Sequence, residues 1–537
     1  MRQTTLSVAL EVKPESYDHL SALLDALRDR RSTDPAGGEG PFAEFLTSVP
    51  VLHFMSLSVF PGYDYDPLFV IEANFDGEPG PFWAQLEAAI GEELRAYLRC
   101  CKRPLNRWGT LFDAVTAPGS RAPVAPYLEA QALTPTVFHH GNRGMNRDRI
   151  LNERALFLAT RVEIASDEPG YRRLTPAAIH ARLRGALIER FPWLDQPAPK
   201  RIPLSVNLRD WANMIAFVVA TLFAVSLPGL VLVLALPWER YLILLGVLLL
   251  GFGIALGRVA GALPGTATPT RFSLARFLFG QLLPVLVFIG LYLLIAGAIA
   301  TPAAMLLRGT GAARAWQEVI AWLGWGLASV PVTVVAVLFW LRVLERNDSS
   351  QDAPPVDPRM LREMARREDW IPQNHMGSIV LIKPGILRAV LIRAGHLGLG
   401  LLLRIIARDG YLGSMRTIHF AHWAMVNNQS RLMFFSNFDQ TWESYLDDFI
   451  EKAHAGLTLA WCCGVGFPPA RFLIYDGASH GRQFKEWARH SMTVSRFWYS
   501  AYKDLTTEQV ERNYRIALGL RKTALSEKEA ATWINDL

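Results

Sequence analysis

The residues best equipped for chemistry are two histidines in matching settings. His53 lies in Val51-Leu-His-Phe54 and His419 in Thr417-Ile-His-Phe420. Each is followed by an apolar segment closing in Asn and Asp: Leu68-Phe-Val-Ile-Glu-Ala-Asn-Phe-Asp76 and Leu432-Met-Phe-Phe-Ser-Asn-Phe-Asp439. A His–Asp pair across neighbouring strands makes a general base or an oriented haem or metal ligand, because the carboxylate fixes the imidazole tautomer. The competing reading is a buried His satisfied at a strand end, and its occurrence twice favours a contact that maintains the fold. Strand alternation groups His53 with Met55, Leu57 and Val59, and His419 with Ala421, Trp423 and Met425.

Other motifs point to less. Gly477-Ala-Ser479-His-Gly481 fits the GxSxG nucleophile elbow between strand-like Phe472–Tyr475 and helix-like Gln483–Arg489. Too little chain follows to supply the acid and the later His of that order, so a Gly-Ser turn capping a helix is the favoured reading. The four cysteines form two adjacent pairs, Cys100-Cys101 and Cys462-Cys463, without zinc spacing, and read as thiols packed on strands. No phosphate-binding GxxxxGK[ST] occurs, and Gly395-His-Leu-Gly398-Leu-Gly400 lacks dinucleotide spacing.

The elements that must position the His and Asp residues are themselves repeated. The matching segments are offset by 366 residues at the histidines, 363 at the aspartates and 362 at the cysteines. Helix-like stretches Phe82–Glu93 and Trp442–Ala453 occupy the same place in each copy. Weaker similarity relates Ala132–Phe138 to Ser491–Phe497. In the first copy the order is strand (TLSVALEV), helix (Ser16–Asp29), two strands joined by loop 61–67, helix, and a last strand at Ala96–Cys101. That βαββαβ order predicts an α+β fold of two ferredoxin-like sheets packed face to face. The second copy is richer in imidazole and aromatic groups, including His422, His480, Trp487, His490 and Trp498 against His139 and His140, which suits one working half and one scaffolding half.

Tandem ferredoxin-like domains resemble the dimeric α+β barrel superfamily, which includes chlorite dismutases, dye-decolourising peroxidases and small cofactor-free monooxygenases. The resemblance covers the two soluble parts and rests on element order and duplication. It implies an intramolecular barrel and redox chemistry, either haem-dependent or cofactor-free. The peroxidase GxxDG motif is echoed by Ala73-Asn-Phe-Asp76-Gly77 with its first Gly replaced, and Ser436-Asn-Phe-Asp439-Gln440 lacks both glycines. The resemblance therefore carries an acid–base role to Asp76 alone and designates no proximal haem ligand.

Composition sets the surroundings. Of 104 charged residues only eight fall between positions 212 and 341, and mean hydropathy is +0.16. Uncharged runs at 212–236, 241–257, 277–307 and 319–341 are each long enough to span a bilayer as a helix. This organisation excludes a purely soluble enzyme, a disordered chain and a disulfide-stapled secreted module. The expected domains are 1–200, a membrane block at 211–342, a linker at 343–370 and a second copy at 371–537. Lys200, Arg201, Arg209, Arg258, Arg271, Arg276, Arg342 and Arg346 flank one side of the spans against Arg240, Arg308 and Arg314 on the other, which predicts cytoplasmic termini in a cell (inner) membrane. The spans lack Asp, Glu, Lys, Arg and His, which favours anchoring over transport, and no basic run interleaved with aromatics points to nucleic acid. Residues 386–408 carry Arg388, His396, Arg404 and Arg408 in one stripe of an apolar helix, expected at the lipid interface. The resulting expectation is a membrane redox enzyme acting on an apolar, bilayer-derived small molecule, with Asp76 or Asp439 as acid–base groups and His419 as ligand or base, and His53 as its counterpart. The alternative is a non-catalytic membrane-anchored binding or scaffolding protein whose protein partner is unknown.

Overall fold

The computed structural model describes residues 2–32, 43–62, 65–261, 274–350, 357–368, 372–406 and 416–537. Arg271, Arg408, loop residues 63–64 and linker residues 351–356, all part of the expectations above, lie outside the described residues. The chain forms two compact units, Met1–Asn207 with Ser349–Leu537, and Leu208–Asp348.

The first unit is mixed α+β. Its strands in chain order are β1 (Gln3–Glu11), β2 (Leu52–Phe60), β3 (Leu68–Asp76), β4 (Ala132–Leu133), β5 (Val137–His140), β6 (Gln373–Leu381), β7 (Ile418–Val426), β8 (Arg431–Asp439), a small hairpin of β9 (Ala470–Arg471) and β10 (Tyr475–Asp476), and β11 (Ser495–Ser500). They build a five-stranded sheet ordered β11-β2-β3-β1-β4 and a four-stranded sheet ordered β5-β7-β8-β6, with antiparallel neighbours. Each sheet takes an edge strand from the opposite end of the chain: β5 pairs with β7, and β11 pairs with β2.

Every residue of β2 and β3 is buried, as is every residue of β8. A sheet buried along the whole of its central strands is covered on both faces. On one face of the first sheet, helices Tyr17–Ser32 and Pro79–Cys100 pack over Met55, Leu57, Ile71 and Phe75. On the other face Phe60, Leu68 and Val70 share a core with Ile379, Val426, Met433 and Phe435 of the second sheet.

The two sheets also repeat each other's bonds. The amide of Asp76 donates to Val51 O (2.8 Å) and that of Asp439 to Thr417 O (2.6 Å). Gly141 N donates to His419 O, and Ala501 N to His53 O, both at 2.9 Å. Lys13 N reaches Cys100 O, and Lys383 N reaches Cys463 O. Helices Pro79–Cys100 and Trp442–Trp461 carry the same non-helical kink, at Ile90 (φ −141°) and Ala453 (φ −142°).

Several expectations change. Residues 96–101 are not a strand; Ala96–Cys100 end the 22-residue helix, and the cysteines sit at its C-terminus, where Cys101 Sγ donates to Tyr97 O. A short, mostly apolar segment is equally compatible with a buried helix end. His53 does not share a face with Met55, Leu57 and Val59. The register of β2 against β3 slips between Leu52 and Phe54, and that of β7 against β8 between Ile418 and Phe420. Each bulge turns its histidine away from the helix-covered core. Residues 358–368, placed in the linker, form helix Pro358–Glu368.

In the second unit the four uncharged runs lie in helices Leu204–Ala235 (which starts in the first unit), Trp238–Gly261, Leu274–Arg308 and Ala312–Arg346. Tyr292, Val319 and Leu323 form its core, and Tyr241 Oη meets Ser329 Oγ at 2.6 Å. Among the described residues, four helical segments are long and apolar enough to cross a membrane: Leu204–Ala235, Ile289–Arg308, Ala312–Arg346 and Ile386–Ile406. Their length and composition mark a membrane protein.

Helix Ile386–Ile406 belongs to the first unit and inverts the expected amphipathicity. His396 is buried and faces inward, with Nδ1 2.9 Å from Thr136 Oγ1, while the Arg404 guanidinium covers the Phe138 ring at 4.7 Å. Ile386, Val390, Leu397, Leu402 and Ile406 are exposed instead. The basic stripe is thus the protein-facing side over His396 and Arg404, and apolar side chains face outward.

Candidate functional site

Both predicted His–Asp pairs form. His53 Nε2 is 3.0 Å from Asp76 Oδ2, and His419 Nε2 is 2.8 Å from Asp439 Oδ1, all four residues being buried. The bulges bring the imidazoles across to the strand-end carboxylates. Each carboxylate then closes a helix N-terminus: Asp76 Oδ2 accepts from Arg147 N (2.7 Å), and Asp439 Oδ2 from Thr507 N (2.8 Å) and Thr507 Oγ1 (2.9 Å). These are the first residues of helices Arg147–Ser166 and Thr507–Arg521, where unpaired amides and the helix dipole favour an anion. His53 Nδ1 lies 2.8 Å from Tyr502 Oη, and burial pushes that phenol well above its ordinary range. The four predicted residues therefore come together as two separate struts, and each carboxylate is already engaged with a helix end.

A different cluster lies between the sheets. Glu72, in the middle of β3, is fully buried. Its Oε2 accepts from Ser56 Oγ (3.2 Å), and its Oε1 from Asn437 Nδ2 (3.2 Å) and from Asn74. Asn437 Oδ1 in turn accepts from Trp498 Nε1 at 2.8 Å. His375 Nε2 points at Glu72 Oε2 from 3.7 Å and has no hydrogen bond of its own, whereas Nδ1 sits 2.6 Å from Ser495 Oγ. The imidazole packs against the rings of Phe435 (5.6 Å, inclined 30°) and Trp498 (6.3 Å, inclined 28°). Burial alone would raise the Glu72 pKa, but the neighbouring His375 imidazole, with help from His422 and the Asn74 amide, holds it below the ordinary carboxylate value. His422, bonded to Ser7 Oγ at 2.7 Å, is pushed down by burial to about 4 and is neutral at pH 7.

His375 and Ser495 open onto a cleft of about 340 Å³. It forms where the chain leaves one sheet for the other: Met492 bridges Ser378 of β6, and Ser495 pairs with Ser58 of β2. Helix Pro358–Glu368 contributes Met364, Arg366 and Arg367, and Arg496 and Arg28 complete a largely cationic rim. Arg28 and Arg496 are steadied by Asp25, and Arg367 by Glu363, while Arg366 is exposed.

Sequence reasoning missed Glu72, His375 and Ser495. Glu72 was legible as the one charge inside an apolar strand, whereas His375 and Ser495 carry no motif and meet only through strand exchange. The GxSxG segment forms a short turn, Gly477–Ser479, with Ser479 exposed and no side-chain cap on the following helix. The cysteines are free thiols, and no cluster of three metal-ligating side chains occurs among the described residues. Comparison with family models, curated proteins and solved structures gives no match.

Proposed function

We propose that this is a multi-pass membrane protein whose soluble unit is a duplicated, ferredoxin-like α+β pair that binds a small anionic, partly apolar molecule in the cleft beside His375. The observation that carries the reading is that cleft: concave, floored by the Trp498 and His375 rings and rimmed by arginines. Ligand sites commonly combine apolar walls with a few converging polar groups. The duplication is supported by the paired kinks and repeated backbone bonds, and barrel-like packing by the core that the two sheets share.

The redox chemistry implied by the superfamily resemblance, with or without haem, would run through Asp76, Asp439, His53 or His419. In the present reading those residues are structural, since using them would disturb the caps of two helices. The bias of basic residues supports cytoplasmic termini. The exposed apolar side of helix Ile386–Ile406 suits contact with lipid.

The test is calorimetric titration of the full chain in detergent with 3-phenylpropanoate, an aromatic carboxylate. Saturable binding that weakens at least tenfold in Arg366→Glu and in Trp498→Ala is expected. Equal affinity in the wild type and both variants would end the reading.

A further inference from the structure

We infer that the cleft is also catalytic, with Ser495 as a nucleophile that attacks acyl esters, His375 as its base and Glu72 as the residue that positions the base. This rests on the cleft being a ligand site. The three side chains form a line: Ser495 Oγ to His375 Nδ1 at 2.6 Å, and His375 Nε2 to Glu72 Oε2 at 3.7 Å. They come from β11, β6 and β3, so only the assembled pair of sheets brings them together.

The tautomer is dictated by the neighbours. A buried carboxylate beside Nε2 favours the proton on that nitrogen, which leaves the Nδ1 lone pair facing the hydroxyl. Nucleophile, base and orienting acid recur as a set on unrelated folds; here the two ring nitrogens exchange places, with Nδ1 on the nucleophile and Nε2 towards the acid. The second contact is too long for a hydrogen bond as it stands, and such contacts tighten when substrate closes the site. The two stacked rings prevent the imidazole from turning away, and the buried Nε2 has no other hydrogen-bond partner.

In the reaction, Ser495 Oγ forms a bond to the ester carbonyl carbon while its proton passes to His375 Nδ1. The carbonyl π pair moves onto oxygen, close to the guanidinium groups of Arg367 and Arg496. Arg367 is fixed there by donating to the Ser495 carbonyl at 2.8 Å. When the tetrahedral intermediate collapses, the C–O bond to the alcohol breaks and the alcohol leaves with the proton from His375. Water, deprotonated by His375, then attacks the acyl-serine, releasing the acid and restoring Ser495. The products are a carboxylate and an alcohol, with no change of oxidation state.

The experiment uses the full chain in detergent with a fluorophosphonate probe and with 4-nitrophenyl butyrate. The probe should attach to Ser495, located by peptide mass spectrometry, and Ser495→Ala should abolish both attachment and at least 99% of ester hydrolysis, on the order of a hundredfold or more. Glu72→Gln should lower kcat for hydrolysis by roughly a hundredfold and leave KM unchanged, because Glu72 orients the base and does not touch the ester. A purely structural Glu72 would leave kcat unchanged in the folded variant. Labelling elsewhere, or hydrolysis unchanged in folded Ser495→Ala, overturns the nucleophile. If 3-phenylpropanoate still binds in that case, the ligand-site reading stands alone; if Ser495 labels but the carboxylate does not bind, the catalytic reading survives and the anionic ligand class falls.

Discussion

The His–Asp struts and the Ser495–His375–Glu72 line lie in the same unit and have opposite symmetry. The strut occurs twice, with the same strand-end carboxylate and the same helix amide behind each histidine. The line occurs once. Following the repeated pairings, the counterpart of Glu72 is Phe435, that of His375 is Thr5, and that of Ser495 is Pro135. Contacts kept in both halves are those without which neither sheet closes onto its helix. A polar cluster present at only one end is dispensable for closure, and its burial cost has to be offset by something other than the fold.

Substitutions in the struts should break this comparison first. Asp76→Ala and Asp439→Ala each strip a buried histidine of its partner and a helix of its anion, at a cost of about 3–5 kcal/mol. Thermal or denaturant unfolding in detergent should show similar losses for both. If one proves neutral, the strut is not a shared device. Glu72→Gln is the matching control and should be milder, since the amide keeps one oxygen acceptor for Ser56, Asn74 or Asn437.

Acid should act next. His422 is held at about 4 in the folded chain against about 6.5 when unfolded, so the unfolded state binds more protons between those values. Stability therefore falls as pH drops from 6.5 towards 4, by up to about 3 kcal/mol from this residue, and His140, lowered by burial, adds in the same direction. Glu72, depressed in the fold, contributes stability that is lost only further down, below about pH 4.5. Unfolding midpoints recorded from pH 7 to 5 should decline, and less steeply in His422→Gln; a flat profile would mean these imidazoles are not buried.

A smaller effect sharpens the contrast. Tyr502→Phe removes one bond to His53, about 1 kcal/mol, and leaves in place the ring that packs against both His53 and His419. Its unfolding midpoint should drop slightly, with ester hydrolysis unchanged. The smallest expected change is in thiol labelling: buried Cys101 and Cys463, both raised by burial, should resist iodoacetamide in the native chain equally in each half, and fast labelling of either would show that its helix end frays.

The strut residues were legible because His53, Asp76, His419 and Asp439 recur with near-constant spacing, and repetition survives as a pattern in the chain. Their orientation was not legible. Strict alternation placed His53 beside Met55, and a single-residue bulge reversed that, because a slip of one flips a side chain to the other face. The helices of the second unit were visible from missing charge alone, and three of them are long and apolar enough to cross a membrane. Helix Ile386–Ile406 misled because its basic stripe resembled a lipid-facing edge, whereas Arg404 and His396 find an aromatic ring and a hydroxyl inside the protein. Ser495 and His375 are 120 residues apart, and Glu72 lies far from both; only the crossing of β11 into the first sheet joins them.

That crossing also imposes a timetable on biogenesis. The open edge of β2 is finished by Ser495–Ser500, so the N-terminal sheet waits while more than 400 further residues, among them every hydrophobic span, are synthesised. At about 5–20 residues per second the delay is roughly 20–90 s. Throughout it an unpaired strand stands exposed beside the translocation machinery, inviting capture by a chaperone or by another nascent chain.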